Sequence, residues 1–279
     1  MIRQIRQITK SRTPTSRTPQ KRILPPPRAG NEETLDVIIP CGPNDVSTVH
    51  KVVEHAKKHV LNHRNIYLIT PANVTIEGCY TIPERVFPFG LNDVRDIHGR
   101  SARNGWYLQQ MLKLYAGIAV EGILGTYLAL DADTVLLKPI AFTQNDQILF
   151  NVGKDHHEPY FEHMKRLHPS LKKMSEHSGI THHMVFKNEY IKTLFDMVEK
   201  LHQKEFWRVF FEQVDEKERI NENGGICSGA SEYEIFFNFM YKYYPDKFRI
   251  RLLKYKDVTT YNKNYDCDYI SCHWYMRTN

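Results

Sequence analysis

The residues best suited to chemistry lie in one stretch, Tyr127-Leu128-Ala129-Leu130-Asp131-Ala132-Asp133-Thr134-Val135-Leu136-Leu137. An apolar run delivers two carboxylates at i and i+2 and then resumes, the pattern of a buried strand that ends in an acidic pair. Alternate residues of a strand share a face, so Asp131 and Asp133 are predicted to point the same way. Carboxylates held that close repel each other unless a cation lies between them or one takes up a proton. Oxygen donors favour hard divalent ions, so Mn²⁺ or Mg²⁺ is the natural guest. The bland alternative is a strand ending in a solvated acidic turn, since Asp-x-Asp alone is a common tripeptide.

Other groups could join this pair. His273 is set in the aromatic run from Tyr265 to Tyr275, either as a core histidine or as the nitrogen ligand that two carboxylates lack. His182-His183 is a polar doublet inside the strand-like run Ser178 to Phe186, so one ring should face a cleft and the other the opposite side. His156, His157, His163, His168 and His177 follow no ligand spacing and are expected in exposed loops. Arg100 and Arg103 lie just before a patterned helix, where guanidinium groups and free backbone N–H groups can hold a phosphate; surface pairing with Asp93 and Asp96 is the alternative. Ser231 and Glu234 stand in capping-box register, which gives Glu234 a structural role and leaves Glu232, in the first turn, ionised by the helix dipole.

The elements that must position these groups follow from periodicity. Thr34 to Pro40 reads as a buried strand that stops at the turn Pro40-Cys41-Gly42-Pro43-Asn44-Asp45. Val49, Val52, Val53, Ala56 and Val60 then recur at helical spacing, and Asn65 to Thr70 reads as a second strand. Strand, helix, strand is a βαβ unit, and ligands of parallel sheets sit beyond the carboxyl ends of the strands, where the Pro40–Asp45 turn and the acidic pair both fall. Residues 93–105 read as a polar loop before a helix carrying Leu108, Met111, Leu112, Tyr115, Ile118 and Ala119 on one face. Residues 148–152 form a further strand, 154–178 lack apolar periodicity, and two helical stripes run from Ile191 to Leu201 and from Phe206 to Val214. A glycine-rich loop from Asn223 to Ala230 leads into the helix at Ser231.

Composition narrows the function classes. With 279 residues, 41% of them apolar, the chain can bury a substantial core, and it contains no run of about 18 apolar residues. Five scattered cysteines, Cys41, Cys79, Cys227, Cys267 and Cys272, have no Cys-x-x-Cys spacing and suggest a reducing compartment rather than a disulfide framework. Residues 1–28 hold eight basic side chains and no acid, so removing eight from the formal +6 leaves the rest of the chain at −2, and nucleic acid is not an expected partner. Residues 1–33, with Pro25-Pro26-Pro27, are predicted to be a flexible basic arm; a transit peptide or an arm on anionic membrane remain open, while the apolar core of a secretory signal is missing. The expected location is cytoplasmic, with peripheral membrane contact through the arm.

Taken together, the strand–turn–helix start, the mid-chain Asp-x-Asp, the glycine loop before an acidic helix start and the late histidine resemble the layout of GT-A-type, nucleotide-sugar-dependent glycosyltransferases over residues 34–279. Gly105-Trp106-Tyr107-Leu108-Gln109-Gln110 and Ser178 to Phe186 add to the likeness. The resemblance implies one α/β domain with a mostly parallel central sheet flanked by helices. It implies a hexosyl- or pentosyltransferase of glycan biosynthesis that uses a UDP-sugar donor and a glycan, glycoprotein or small hydroxyl acceptor. Asp131, Asp133 and His273 would bind Mn²⁺ or Mg²⁺. Pro40, Cys41, Gly42, Asp45, Arg100, Arg103, Tyr107 and Ala132 would line the donor with the acidic pair, and His182, His183 and Gly229 the acceptor. Glu232, with Glu234 beside it, would act on the acceptor hydroxyl, giving inversion; without a base in place a retaining course is open. One departure is Tyr233 after Glu232, where the family usually has Glu-Asp. Leu130-Asp131-Ala132-Asp133-Thr134-Val135 also satisfies the motif of haloacid-dehalogenase-like phosphatases, but that motif normally ends the first strand. A non-catalytic sugar- or polyanion-binding module leaves the acidic pair unexplained.

Overall fold

The computed structural model describes residues 33–215, 228–261 and 265–278. The arm up to residue 32, the loop from Asn223 to Cys227 and their assigned roles lie outside these. Glu33 belongs to the folded body, because its backbone N–H donates to Thr143 Oγ1 (2.9 Å) and its carboxylate accepts from Thr126 Oγ1 (2.7 Å).

The fold is α/β. Its first strand, β1 (Leu35–Pro40), is buried at every position, as expected of a central parallel strand. α1 (Val49–His59) buries Val49, Val52, Val53 and Ala56 and leads to β2 (His63–Ile69), completing the predicted βαβ unit. β3 (Tyr80–Ile82), β4 (Thr126–Leu130) and β8 (His183–Lys187) complete a five-stranded sheet of order β3-β2-β1-β4-β8. Three of its pairings are parallel and only β4–β8 is antiparallel. The order reverses between β1 and β4, so the crevice beyond Pro40 and Leu130 is a topological switch point, where such sheets bind ligands.

Between β3 and β4 come α2 (Leu91–His98) and α3 (Asn104–Ala119), the latter packed on β1 and β4. The polar loop predicted over 93–105 is corrected here: Asp93 accepts from the Gly90 N–H (2.8 Å) and caps α2, whose Val94 and His98 are buried. Leu91, Val94, Ile97 and His98 fall at i, i+3, i+6 and i+7, a single stripe too short to stand out in the sequence. α4 (Glu158–Leu167) likewise replaces an expected loop. Its apolar face, Tyr160, Phe161, Met164 and Leu167, includes His163, which is fully buried rather than exposed and meets the carbonyl of Phe210 through Nε2 (2.9 Å).

Two small sheets flank the core. One joins β10 (Tyr255–Asp257), β11 (Tyr269–Ser271) and β5 (Thr134–Leu136); the other joins β6 (Thr143–Gln144), β7 (Gln147–Phe150) and β9 (Phe248–Ile250). α5 (Asn188–His202) packs on β8, α6 (Phe206–Glu212) on α5, and α7 (Glu232–Tyr243) against α3, α4 and α5. No helix among the described residues is long and apolar enough to cross a membrane.

Candidate functional site

Asp131 leaves the end of β4 and Asp133 sits two residues on, just before β5. Register then brings two other segments to them. In the antiparallel pair β4–β8, Leu130 faces His183, and the Asp131 N–H donates to the His182 carbonyl (3.0 Å). In β5–β11, Thr134 faces Ser271, and the Cys272 N–H donates to the Asp133 carbonyl (2.9 Å). The residue after Cys272 is His273, whose Nδ1 lies 2.8 Å from Asp133 Oδ2, while Ser271 Oγ donates to Oδ1 (3.1 Å). His273 thus meets Asp133 just beyond the end of β4, two residues from Asp131. Burial raises the Asp133 pKa, but the bond and charge of His273 outweigh it and hold the carboxyl below its usual range. His273 is raised by the same bond.

Asp131 has a partner that sequence reasoning missed. Lys113 Nζ, on α3, lies 2.6 Å from Asp131 Oδ1 and 2.7 Å from Glu232 Oε1, and the lysine is 3% exposed. Burial lowers the Lys113 pKa, yet the two carboxylates overcome it and keep the ammonium charged. The Tyr233 hydroxyl donates to the same Asp131 oxygen (3.0 Å), and Lys113 Nζ stands 4.2 Å from the centre of the Tyr233 ring.

Glu232 opens α7 and is itself buried, with burial raising its pKa against the pull of Lys113. α3 fixes that helix start through three polar groups at three-residue spacing. The Tyr107 hydroxyl accepts from the Gly229 N–H (2.9 Å), Gln110 Oε1 accepts from the Glu232 N–H (2.9 Å), and Lys113 holds the Glu232 carboxylate. A polar stripe at 107, 110 and 113 in an otherwise apolar helix is a signal that the sequence contained. Ser231 Oγ accepts from the Glu234 N–H as the capping register requires (3.3 Å). The Glu234 side chain, however, does not return to the cap. It accepts from Ser178 Oγ (2.5 Å) and Asn238 Nδ2 (3.0 Å), because the 178–181 segment packs directly on α7.

The other sequence candidates divide by position. His182 faces the acidic pair, with its ring centre 5.3 Å from that of His273. His183 points the other way, into the core, against Phe142 and Tyr269, and burial lowers its pKa far below the usual value. Tyr107 and Gly229 serve each other and are buried, as is Ala132. Cys41 is buried with its thiol pushed up to about 12, first by burial and then by Asp45. Pro40 is buried at the end of β1 and Gly42 is exposed beyond it. Asp45 pairs with Arg277 Nη2 (2.5 Å); burial, opposed by that arginine, raises its carboxyl, and Asp133 and Asp131 add to the rise. Arg277, another residue the sequence reading missed, also donates to the carbonyls of Cys272 (2.9 Å) and Asn44 (3.0 Å) and so ties the C-terminal segment to the β1 turn. A cavity of about 510 Å³ adjoins this tie, lined by Asn44, Ser47, Thr48, Lys51, Tyr261, Trp274 and Arg277 among others. Arg100 is exposed and Arg103 half-buried, its guanidinium 5.9 Å from the Trp106 ring. Among the described residues neither arginine pairs with Asp93 or Asp96.

Carboxylates and imidazoles converging at one strand end form a donor set that fits Mn²⁺ better than Mg²⁺, which prefers oxygen alone. His182 Nε2, 3.9 Å from Asp257 Oδ1 at the end of β10, adds a nitrogen to that set.

No protein-family model matches the chain, and no curated protein matches it. Among solved structures, mouse xyloside xylosyltransferase 1 in its apo form is similar at 9% identity over 86% of this chain and 97% of that chain, with a TM-score of 0.45. That likeness is too distant to bear on function.

Proposed function

We propose that the chain is a metal-dependent glycosyltransferase that moves a sugar from a nucleotide-sugar donor, of UDP type, to a hydroxyl of a glycan or other acceptor. The observation that carries the reading is the convergence of Asp131, Asp133 and His273 at the switch point between β1 and β4. A divalent ion held there supplies positive charge for a leaving diphosphate.

The protein's own groups supply the rest. Arg103, half-buried at the start of α3, is the guanidinium assigned to a phosphate in this reading. The cavity beside Asp45 and Arg277 has the volume of a small-ligand site and takes the nucleoside. Glu232 is 3% exposed with Oε1 on Lys113. The base role expected of it is therefore reassigned to positioning: it holds Lys113 against Asp131. The anomeric configuration of the product, followed by NMR, decides between inversion and retention.

A thermal-shift panel of nucleotides and nucleotide sugars, with and without Mn²⁺, tests the reading. Ligands that bind the folded state raise Tm by linkage, about 2.7 kcal/mol of stabilisation at a hundredfold excess over Kd. The expected result is a metal-dependent shift with uridine nucleotides, largest for a UDP-sugar. No shift with any nucleotide would falsify the transferase reading, and an aspartyl-phosphate trapped on Asp131 would replace it with the phosphatase.

A further inference from the structure

Trp274 and Tyr275 are 57% and 67% exposed, and Tyr275 is the most exposed large hydrophobic side chain among the described residues. Single aromatics at a surface are ordinary, so position and rigidity decide what this pair means. The segment that carries it is pinned on both sides. The Met276 N–H donates to the His273 carbonyl (2.8 Å), closing the one-turn helix Trp274–Met276, and the Thr278 N–H donates to the Thr259 carbonyl (3.2 Å). Between these two, Arg277 ties the chain to Cys272, Asn44 and Asp45.

The Tyr275 ring lies parallel to that of His273, with 6° between the planes and 5.3 Å between the centres, and Trp274 stands edge-on to it at 5.9 Å. His273 covers one face of Tyr275, so the exposure of the ring belongs to the other face. Trp274 lines the cavity of about 510 Å³ that takes the nucleoside, whereas Tyr275, one residue on, does not belong to that lining. Burial, then Asp133 and Asp257, raise the Tyr275 pKa and Arg103 lowers it, so carboxylates and a guanidinium lie within electrostatic reach of the hydroxyl end of the ring.

A pyranose has the complementary surface. Its axial C–H bonds make an apolar face that meets the negative π-face of an aromatic ring, and its hydroxyls, at the rim, call for charged acceptors and donors. A bare alcohol has no such face. We propose that Tyr275 is a specificity-determining residue, whose open face seats a pyranose ring of the acceptor beside the Asp133–His273 pair, so that the chain acts on a saccharide rather than on a serine, threonine or lipid alcohol. The inference rests on the transferase reading above and deepens it by naming the acceptor class and the side chain that selects it. It takes over the acceptor role expected of His183 and Gly229, which are buried.

Saturation-transfer difference NMR on the full chain, with and without UDP and Mn²⁺, tests the assignment. The probes are the methyl pyranosides of glucose, galactose, mannose and xylose, with butanol as a hydroxyl that lacks a ring. The variants are Tyr275→Ala and Tyr275→Phe, changes at an exposed side chain that should each leave Tm within about 2 °C of the unaltered chain. At least one pyranoside is expected to take up saturation, more strongly at the axial hydrogens of one ring face than of the other, and butanol none. Tyr275→Ala should weaken that pyranoside about tenfold, and Tyr275→Phe, which keeps the aromatic face, by about twofold or less. The metal-dependent nucleotide shift reports the donor side separately. Pyranosides that bind Tyr275→Ala as tightly as the unaltered chain, or no pyranoside binding at all, would overturn the assignment while leaving the transferase reading in place. Loss of the nucleotide shift in Tyr275→Ala would also overturn it, by putting the nucleobase on this ring. Pyranoside binding that depends on Tyr275 in a chain without any nucleotide shift would do the reverse, sustaining the sugar seat and sinking the transferase.

Discussion

Asp131 and Asp133 lie two residues apart, yet each has its own partner. Lys113 takes Asp131 and His273 takes Asp133, so the repulsion that two adjacent carboxylates imply is relieved from two directions. The acidic pair and the late histidine were legible because their residue types are out of place in apolar runs. Lys113 was not: it lies between Leu112 and Leu114 in a helix that reads as core, and only its spacing from Tyr107 and Gln110 hints at a polar stripe. Asp257 gave no signal, since one acid at the end of a three-residue strand looks like any surface acid. The buried Lys113 makes a strong prediction. Lys113→Met leaves Glu232 and Asp131 facing each other without a counter-charge, and removing one partner of a buried ion pair costs about 3–5 kcal/mol. Urea denaturation should show that loss, and the double variant Lys113→Met/Glu232→Gln should recover part of it, because no uncompensated charge then remains at Glu232. A single-variant loss within about 0.5 kcal/mol, the size of a surface change, would mean that the folded chain does not hold the triad.

At the scale of elements, the site depends on pairings of very short strands. β5 and β11 have three residues each, and their register decides that His273 meets Asp133. Such strands carry too few alternations to be recognised by periodicity, which is why the βαβ start, β4 and α3 were legible and β5, β10 and β11 were not. The 178–181 segment shows how tightly the site end of α7 is set. A Cβ on Gly179 would lie 2.7 Å from both the Tyr233 carbonyl and Phe237 Cβ, closer than real contacts allow. Backbone cannot yield as a flexible side chain does. Gly179→Ala is therefore expected to push the segment off α7, strain the Ser178–Glu234 hydrogen bond and lower stability by about 1–3 kcal/mol. For a body of this size that is a fall of about 2–12 °C in Tm. Calorimetry reads it directly, and an unchanged Tm would show that the segment and α7 do not pack in this way.

For the molecule as a whole, the basic charge noted in the sequence belongs to the arm, and the described body owes its pH response to what it buries. His163 and His183 are enclosed, each without a carboxylate partner among the described residues, and desolvation opposes their charged forms. His163 falls from 6.5 to about 3, its Nε2–H donating to Phe210. The sequence placed His163 in an exposed loop because residues 154–178 look polar throughout; only packing of α4 against α6 and α7 encloses it. The consequence for stability has a definite sign. Between pH 6.5 and about 3 the unfolded chain binds a proton at this position and the folded chain does not, so stability is fully present above pH 6.5 and is lost as pH falls through that window. One proton corresponds to a slope of up to about 1.4 kcal/mol per pH unit. His163→Gln keeps an amide donor for the Phe210 carbonyl but cannot titrate. Urea unfolding of this variant at pH 7, 6, 5 and 4 is expected to show a shallower decline than the unaltered chain, by about one proton's slope, with little difference near neutrality beyond the packing change. Parallel declines would mean that His163 titrates alike in both states and that the acid sensitivity of the fold arises elsewhere.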